Sequence, residues 1–264
     1  MATVKDIYRY MDQKAPFDTQ EGFDNSGLLV GWEDAAVQTV LISLDITQQV
    51  IEEAAQKRAQ LIVSHHPVIF YPAKRITDAE PTGQLVMALI QYGLAAICAH
   101  TNLDKAPGGV NDALAAAAGL QQIRLIHSDG TNRCGLAYGI GRYGLLTAPG
   151  SLADYLRYLK KALGANGLRY ADGGKPVYRV AVGGGACGGM LREVAALGCD
   201  TFITADVKHD QFLEARALGL NLVDAGHYSS EHVVCPVLER WLREGFPELT
   251  ILQSEADTEP TLYL

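Results

Sequence analysis

None of the five cysteines, Cys98, Cys134, Cys187, Cys199 and Cys235, sits in a CxxC pair. Structural zinc sites are usually cysteine-rich and closed, so that class is disfavoured. The odd count and irregular spacing read as a reducing compartment rather than a disulfide scaffold. Basic residues are in deficit, 22 Lys and Arg against 30 Asp and Glu for a net charge of -8, with a pI near 5.3. No Lys/Arg cluster breaks that balance, so a nucleic-acid footprint is not expected and a small-molecule substrate is the better default. A run of about 18 apolar residues is also lacking. The opening Met1-Ala2-Thr3-Val4-Lys5-Asp6-Ile7 is polar and amphipathic, unlike a secretory leader. A soluble, cytoplasmic protein with no membrane partner is expected. The glycine-rich Gly183-Gly184-Gly185-Ala186-Cys187-Gly188-Gly189 lacks the Gly-Lys-Ser/Thr ending of a nucleotide P-loop and the spacing of a dinucleotide fingerprint. Two readings stay open for it: backbone amides cradling an anion, or close helix–sheet packing.

Metal-ligand residue types are present instead, in three short segments. These are Ser64-His65-His66-Pro67, His100-Thr101-Asn102-Leu103-Asp104 and Gly226-His227-Tyr228-Ser229-Ser230-Glu231. Each follows an apolar run that reads as a buried strand: Leu61-Ile62-Val63, Ala95-Ala96-Ile97 and Leu222-Val223. Strand ends are where an α/β fold gathers its chemistry. Imidazoles and carboxylates converging there make a mixed N/O site suited to Zn, Mn, Fe or Ni, with room for two ions that share a carboxylate.

An internal repeat organises the chain. At an offset of 140, Val40-Leu41-Ile42-Ser43 pairs with Val180-Ala181-Val182-Gly183, and Leu61-Ile62-Val63-Ser64 pairs with Thr201-Phe202-Ile203-Thr204. Helices are predicted between and after these strands, over 47–58 and 82–92 in the first copy and 189–197 and 211–218 in the second, with Gly93 and Gly219 as stop signals. Near the ends, an offset of 127 aligns His100 with His227 and Asp104 with Glu231. The expected fold class is α/β: two similar, intertwined lobes with mixed sheets flanked by helices and a metal cleft between them. Residues 1–125 plus 232–264 form the first expected lobe and 126–231 the second, with no inserted extra domain. Residues 135–143 read as a strand with glycine bulges, and Ser151 as the N-cap of a helix to Leu163. A helix from Glu231 to Arg243 is predicted to anchor Glu231.

Adjacent His65 and His66 would face opposite ways in a regular strand, but the turn forced by Pro67 can bring both inward. Asp104 reads as a ligand or as an ordinary turn residue or cap. Three roles are open to His100: ligand, orienting group or proton carrier near neutral pH. His227 and Glu231, four apart, share a face if the helix has begun. The carboxylate of Glu231 can bridge two cations, or simply complement a helix N-terminus. Lys208 and His209 either meet substrate or start a helix.

Together with Phe23-Asp24-Asn25-Ser26-Gly27-Leu28-Leu29-Val30-Gly31 and Ile203-Thr204-Ala205-Asp206-Val207-Lys208-His209, these motifs resemble the NIF-three-like dinuclear metal-centre family, whose members are often labelled GTP cyclohydrolase I type 2 homologues. The resemblance spans nearly the whole chain in order. It implies a pair of divalent ions held by His65, His66, Asp104, His227 and Glu231, with Glu231 as bridge. It also implies a homo-oligomer, a toroidal hexamer in many members. The implied activity is a metal-dependent hydrolase acting on a nucleotide or related small molecule, with GTP ring opening by a metal-bound hydroxide as the named example. His100 is then the candidate catalytic residue, and Lys208 and His209 the candidate substrate contacts. The alternative is a non-catalytic metal-binding scaffold or a regulatory, metal-handling protein.

Overall fold

The computed structural model describes residues 1–264 and divides them into two compact units, Met1–Ala106 with Cys235–Thr258, and Pro107–Val234 with Glu259–Leu264. In the first unit, helix α1 (Val4–Lys14) begins at a capping box in which Thr3 and Asp6 satisfy each other's backbone amides, and it buries Val4, Ile7 and Met11. Four strands follow: β1 (Gly27–Val30), β2 (Thr39–Ser43), β3 (Leu61–Ser64) and β4 (Ala95–Cys98). The sheet order is β1, β4, β3, β2 and then the strand Thr250–Gln253 near the C-terminus. Only β1 runs antiparallel to its neighbour.

Every residue of β3 and β4 is buried, as expected for parallel strands covered on both faces. Helix α2 (Gln48–Gln56) links β2 to β3. Its N-cap Thr47 accepts the Val50 amide, and Val50, Ile51 and Ala54 join Leu41 and Ile62 in one apolar cluster. Helix α3 (Pro81–Tyr92) links β3 to β4, opening on Pro81 and closing on left-handed Gly93, φ +67°. The short α4 (Thr101–Lys105) follows β4 directly.

The second unit opens with α5 (Val110–Ala117) and β5 (Gln121–Leu125). A small hairpin of β6 (Gly130–Thr131) and β7 (Ala137–Tyr138) comes next, then β8 (Arg142–Gly150). Residues 135–143 are therefore not one bulged strand. Left-handed Gly141, φ +76°, separates β7 from β8, and a Cβ there would lie 2.7 Å from Ile126 and 3.2 Å from the Val182 carbonyl. Ser151 caps α6 (Leu152–Ala162) by accepting the Asp154 amide. The remaining elements are β9 (Arg169–Ala171), β10 (Val177–Val182), α7 (Leu191–Ala196), β11 (Thr201–Thr204), α8 (His209–Ala217), β12 (Asn221–Asp224) and α9 (His227–Glu231). Sheet order is β5, β8, β10, β11, β12, β9, with the central β10, β11 and β12 parallel and their flanking partners antiparallel.

The predicted helix from Glu231 to Arg243 is broken. Helix α9 ends at Glu231, a 3-10 turn covers His232–Val234, and a separate helix runs Cys235–Gly245. Pro236 accounts for the break, since it has no amide to donate back to the preceding turn and its ring crowds that turn. Glu231 is thus the last residue of a short helix rather than the first of a long one. No helix of the chain is long and apolar enough to cross a membrane.

Candidate metal centre

Strand β3 delivers His65 and His66 at its C-terminal end, and β4 delivers His100 beside them. The three rings pack at centroid distances of 5.0 Å, 5.2 Å and 5.6 Å. One ligand atom from each lies within 4.8 Å of the others, a spacing that can hold a metal ion. The turn at Pro67 does bring adjacent histidines to one place. Helix α4 adds Asp104, whose Oδ1 is 3.7 Å from His65 Nε2. His65 is fully buried and Asp104 is 7% exposed, which fixes both against their strand and helix.

Each of these imidazoles is held through Nδ1 by an oxygen. His65 Nδ1 donates to the Ala99 carbonyl at 2.8 Å, His66 Nδ1 to Asp45 at 2.8 Å and His100 Nδ1 to Asp24 at 2.7 Å. A carbonyl or carboxylate accepts only from a protonated nitrogen, so in the neutral ring Nε2 keeps its lone pair. Metal-binding histidines are oriented in this way. Asp24 is itself enclosed. Burial opposes its ionisation, yet His100, the Thr101 hydroxyl and the Asn25 amide hold its carboxyl well below the usual carboxylate range. Ser26 also donates to Asp24, at 3.0 Å, and accepts the His100 amide at 3.1 Å.

In the second unit, α9 places His227 and Glu231 on one face, with His227 Nε2 3.0 Å from Glu231 Oε2. His227 Nδ1 donates to Asp206 at 2.7 Å, which again leaves Nε2 with its lone pair. A lone pair facing a carboxylate oxygen at that distance is repulsive unless a proton or a cation lies between them. An imidazole nitrogen and a carboxylate oxygen at this spacing suit a divalent ion. Asp206 reaches this position from a left-handed backbone, φ +52°, which aspartate tolerates better than most residues. No side chain caps α9; Ser230 Oγ instead donates to the His227 carbonyl and accepts the Gly185 amide.

The first three glycines of segment 183–189 do not offer their amides to an anion. The Gly183, Gly184 and Gly185 amides already donate to the Ile203 carbonyl, Asn111 Oδ1 and Ser230 Oγ, and the Cys187 amide to the Gly185 carbonyl and Thr204 Oγ1. Close packing explains the glycines: a Cβ on Gly185, φ +63°, would lie 2.2 Å from Glu231 Oε1. Lys208 and His209 are exposed at the start of α8. The orienting carboxylates Asp45 and Asp206 escaped the sequence reading as individual residues. Asp24 and Asp206 lie in motifs noted there, whereas Asp45 follows β2 with no signal beyond its strand-end position.

The profile of the family described as Duf34/NIF3 (NGG1p interacting factor 3) matches residues 2–260. The chain belongs to the Duf34/NIF3 family. A relative from Clostridium perfringens, named a GTP cyclohydrolase 1 type 2 homolog, is 32% identical over 86% of each chain. One from Nostoc, with the same name, is 36% identical over 77% of each. The crystal structure of the Staphylococcus aureus hypothetical protein SA1388 superposes with a TM-score of 0.92 at 30% identity, covering 99% of both chains. Among Duf34/NIF3 relatives the similarity thus runs through the full α/β architecture.

Proposed function

We propose that this chain is a dinuclear metal-dependent hydrolase acting on a nucleotide or related small molecule, with His65, His66, Asp104, His227 and Glu231 as metal ligands and Glu231 as bridge. The observation that carries this reading is the shared Nδ1 tether of His65, His66, His100 and His227, which turns Nε2 of each into a ligand or a proton acceptor. Divalent cations would supply Lewis acidity, polarising a substrate oxygen and lowering the pKa of a water. The chain's own groups supply position and proton handling. Asp24 fixes His100 so that its Nε2 can carry a proton to or from the reacting group, the role of a general acid or base. Lys208 and His209 are the proposed substrate contacts on α8.

The relatives' names make GTP the first substrate to assay, beside a generic phosphoester, each with and without Mn, Zn or Fe. Metal-dependent turnover supports the hydrolase. Bound metal with no turnover on either substrate would favour a metal-handling scaffold. A cytoplasmic, toroidal homohexamer completes the proposal, and light scattering should then give about six times 28.4 kDa; a monomer would remove that part.

A further inference from the structure

Beyond His66 the chain runs through an irregular loop to Glu80, and this loop encloses a cavity of about 420 Å³ lined by Phe70, Tyr71, Lys74, Arg75, Glu80 and Thr82. The loop is pinned at both ends. Asn25 Nδ2 donates to the Ile69 carbonyl at 2.5 Å, and Gln84 Nε2 to the Asp78 carbonyl at 2.8 Å. Gly83 in the first turn of α3 lies so close that a Cβ would be 2.0 Å from the Thr77 carbonyl.

Between those pins stands a row of aromatic rings. Phe70 packs edge-on against His100 at 5.9 Å, against Tyr71 at 4.8 Å and against Phe23 at 6.4 Å. Tyr71 is 78% exposed and Phe23 68%, so neither is spent on the core. Lys74 and Arg75 are exposed on the same cavity and make no ion pair, although the chain carries a net charge of -8. Glu80 sits at the N-cap of α3, yet its side chain makes no capping bond there. The cavity thus offers stacking faces, two cations for an anion and a carboxylate that can accept ring N–H groups.

Resting on the hydrolase reading above, we infer that this pocket binds a nucleoside phosphate, with the heteroaromatic ring against Phe70 and Tyr71 and the phosphate on Lys74 and Arg75. The pocket wall formed by Phe70 also meets His100, 5.9 Å away between ring centroids, which links it to the histidine cluster. The test is calorimetric titration of the full chain, stripped with a chelator, with GMP, guanosine and inorganic phosphate at low and high salt. GMP should bind most tightly and lose affinity as salt rises, while guanosine, lacking the phosphate, should bind more weakly and with less salt sensitivity. The double variant K74A/R75A should weaken GMP about tenfold or more and leave guanosine unchanged. Tyr71→Ala should weaken both by about tenfold. Gly83→Ala, which alters no lining side chain of the six named, should weaken GMP by displacing the loop.

Failure of GMP to bind, or GMP binding unchanged in both the K74A/R75A and Tyr71→Ala proteins, would overturn the pocket. Inorganic phosphate binding as tightly as GMP would overturn the ring subsite. Because binding is read without metal, the pocket stands or falls separately from the hydrolase, which is tested by metal content and turnover. Melting temperatures of the variants check that each is folded.

Discussion

The two units carry the same run of three parallel strands but equip its ends differently. In the first, β3 and β4 end in His65, His66 and His100, and each ring is held from outside its own segment: by the Ala99 carbonyl, by Asp45 and by Asp24. In the second, β11 ends at Ala205-Asp206 where the first has His65-His66, and Asp206 orients the one histidine of α9. The 140-residue offset also sets Asp45 against Gly185. A side chain supports an imidazole at the first position; at the second, Glu231 lies where a side chain would go. At these matched strand ends the first unit thus presents imidazoles and the second a carboxylate closely seated on backbone.

Glu231→Ala should give the largest effect, loss of at least one ion with the fold intact. Elemental analysis of the purified variant checks it, and unchanged stoichiometry would refute the bridging role. Gly185→Ala should come next, because it combines left-handed backbone, about 1–3 kcal/mol for a residue with a Cβ, with direct displacement of Glu231. A lowered melting temperature together with lost metal is expected; a variant as stable and as metal-rich as the parent would remove the contrast with Asp45. Asp45→Asn and Asp206→Asn should each weaken metal binding by about 10–100-fold with little change in stability, read by competition with a chromophoric chelator. An effect at only one of the two would show that the units orient their histidines by different means.

The smallest expected effect on the metal concerns a glutamate at matched positions, where only stability should change. Burial opposes ionisation of Glu53 on α2, but Lys57, Ser254 and the amides of Glu255 and Ala256 outweigh it and hold the carboxyl at about 2. A depressed folded pKa stabilises the folded chain above the unfolded value near 4.5 and loses that contribution as pH falls toward about 2. Glu53→Gln should therefore cost on the order of 2 kcal/mol at pH 7 and flatten the acid limb of the stability curve. The matched Glu193→Gln should change neither, since Glu193 is exposed and meets only His127 at 3.5 Å. Equal acid limbs for the two variants in pH-dependent urea melts would contradict this difference.

The parallel strands and most helices were legible because burial and period are local: Leu61-Ile62-Val63 and Thr201-Phe202-Ile203 are apolar on both faces, and Thr47 and Ser151 announce their helices. The grouping of His65 with His66 and His100, and of His227 with Glu231, followed from strand ends and helical spacing. What failed depended on partners distant in sequence. Between the two readings of glycines 183–185, packing is decided only by Asn111 and Ser230, which occupy amides of that run from far along the chain. Asp45 is silent because its role exists only once β2 and β3 lie side by side. The break after Glu231 has a local signal in Pro236, which the helix predicted over Glu231 to Arg243 runs through.

The central claim is tested most directly by metal content per chain, measured by elemental analysis of the purified protein and again after reconstitution with Mn, Zn or Fe. The account predicts two ions per chain. No bound ion, even after reconstitution, would contradict it.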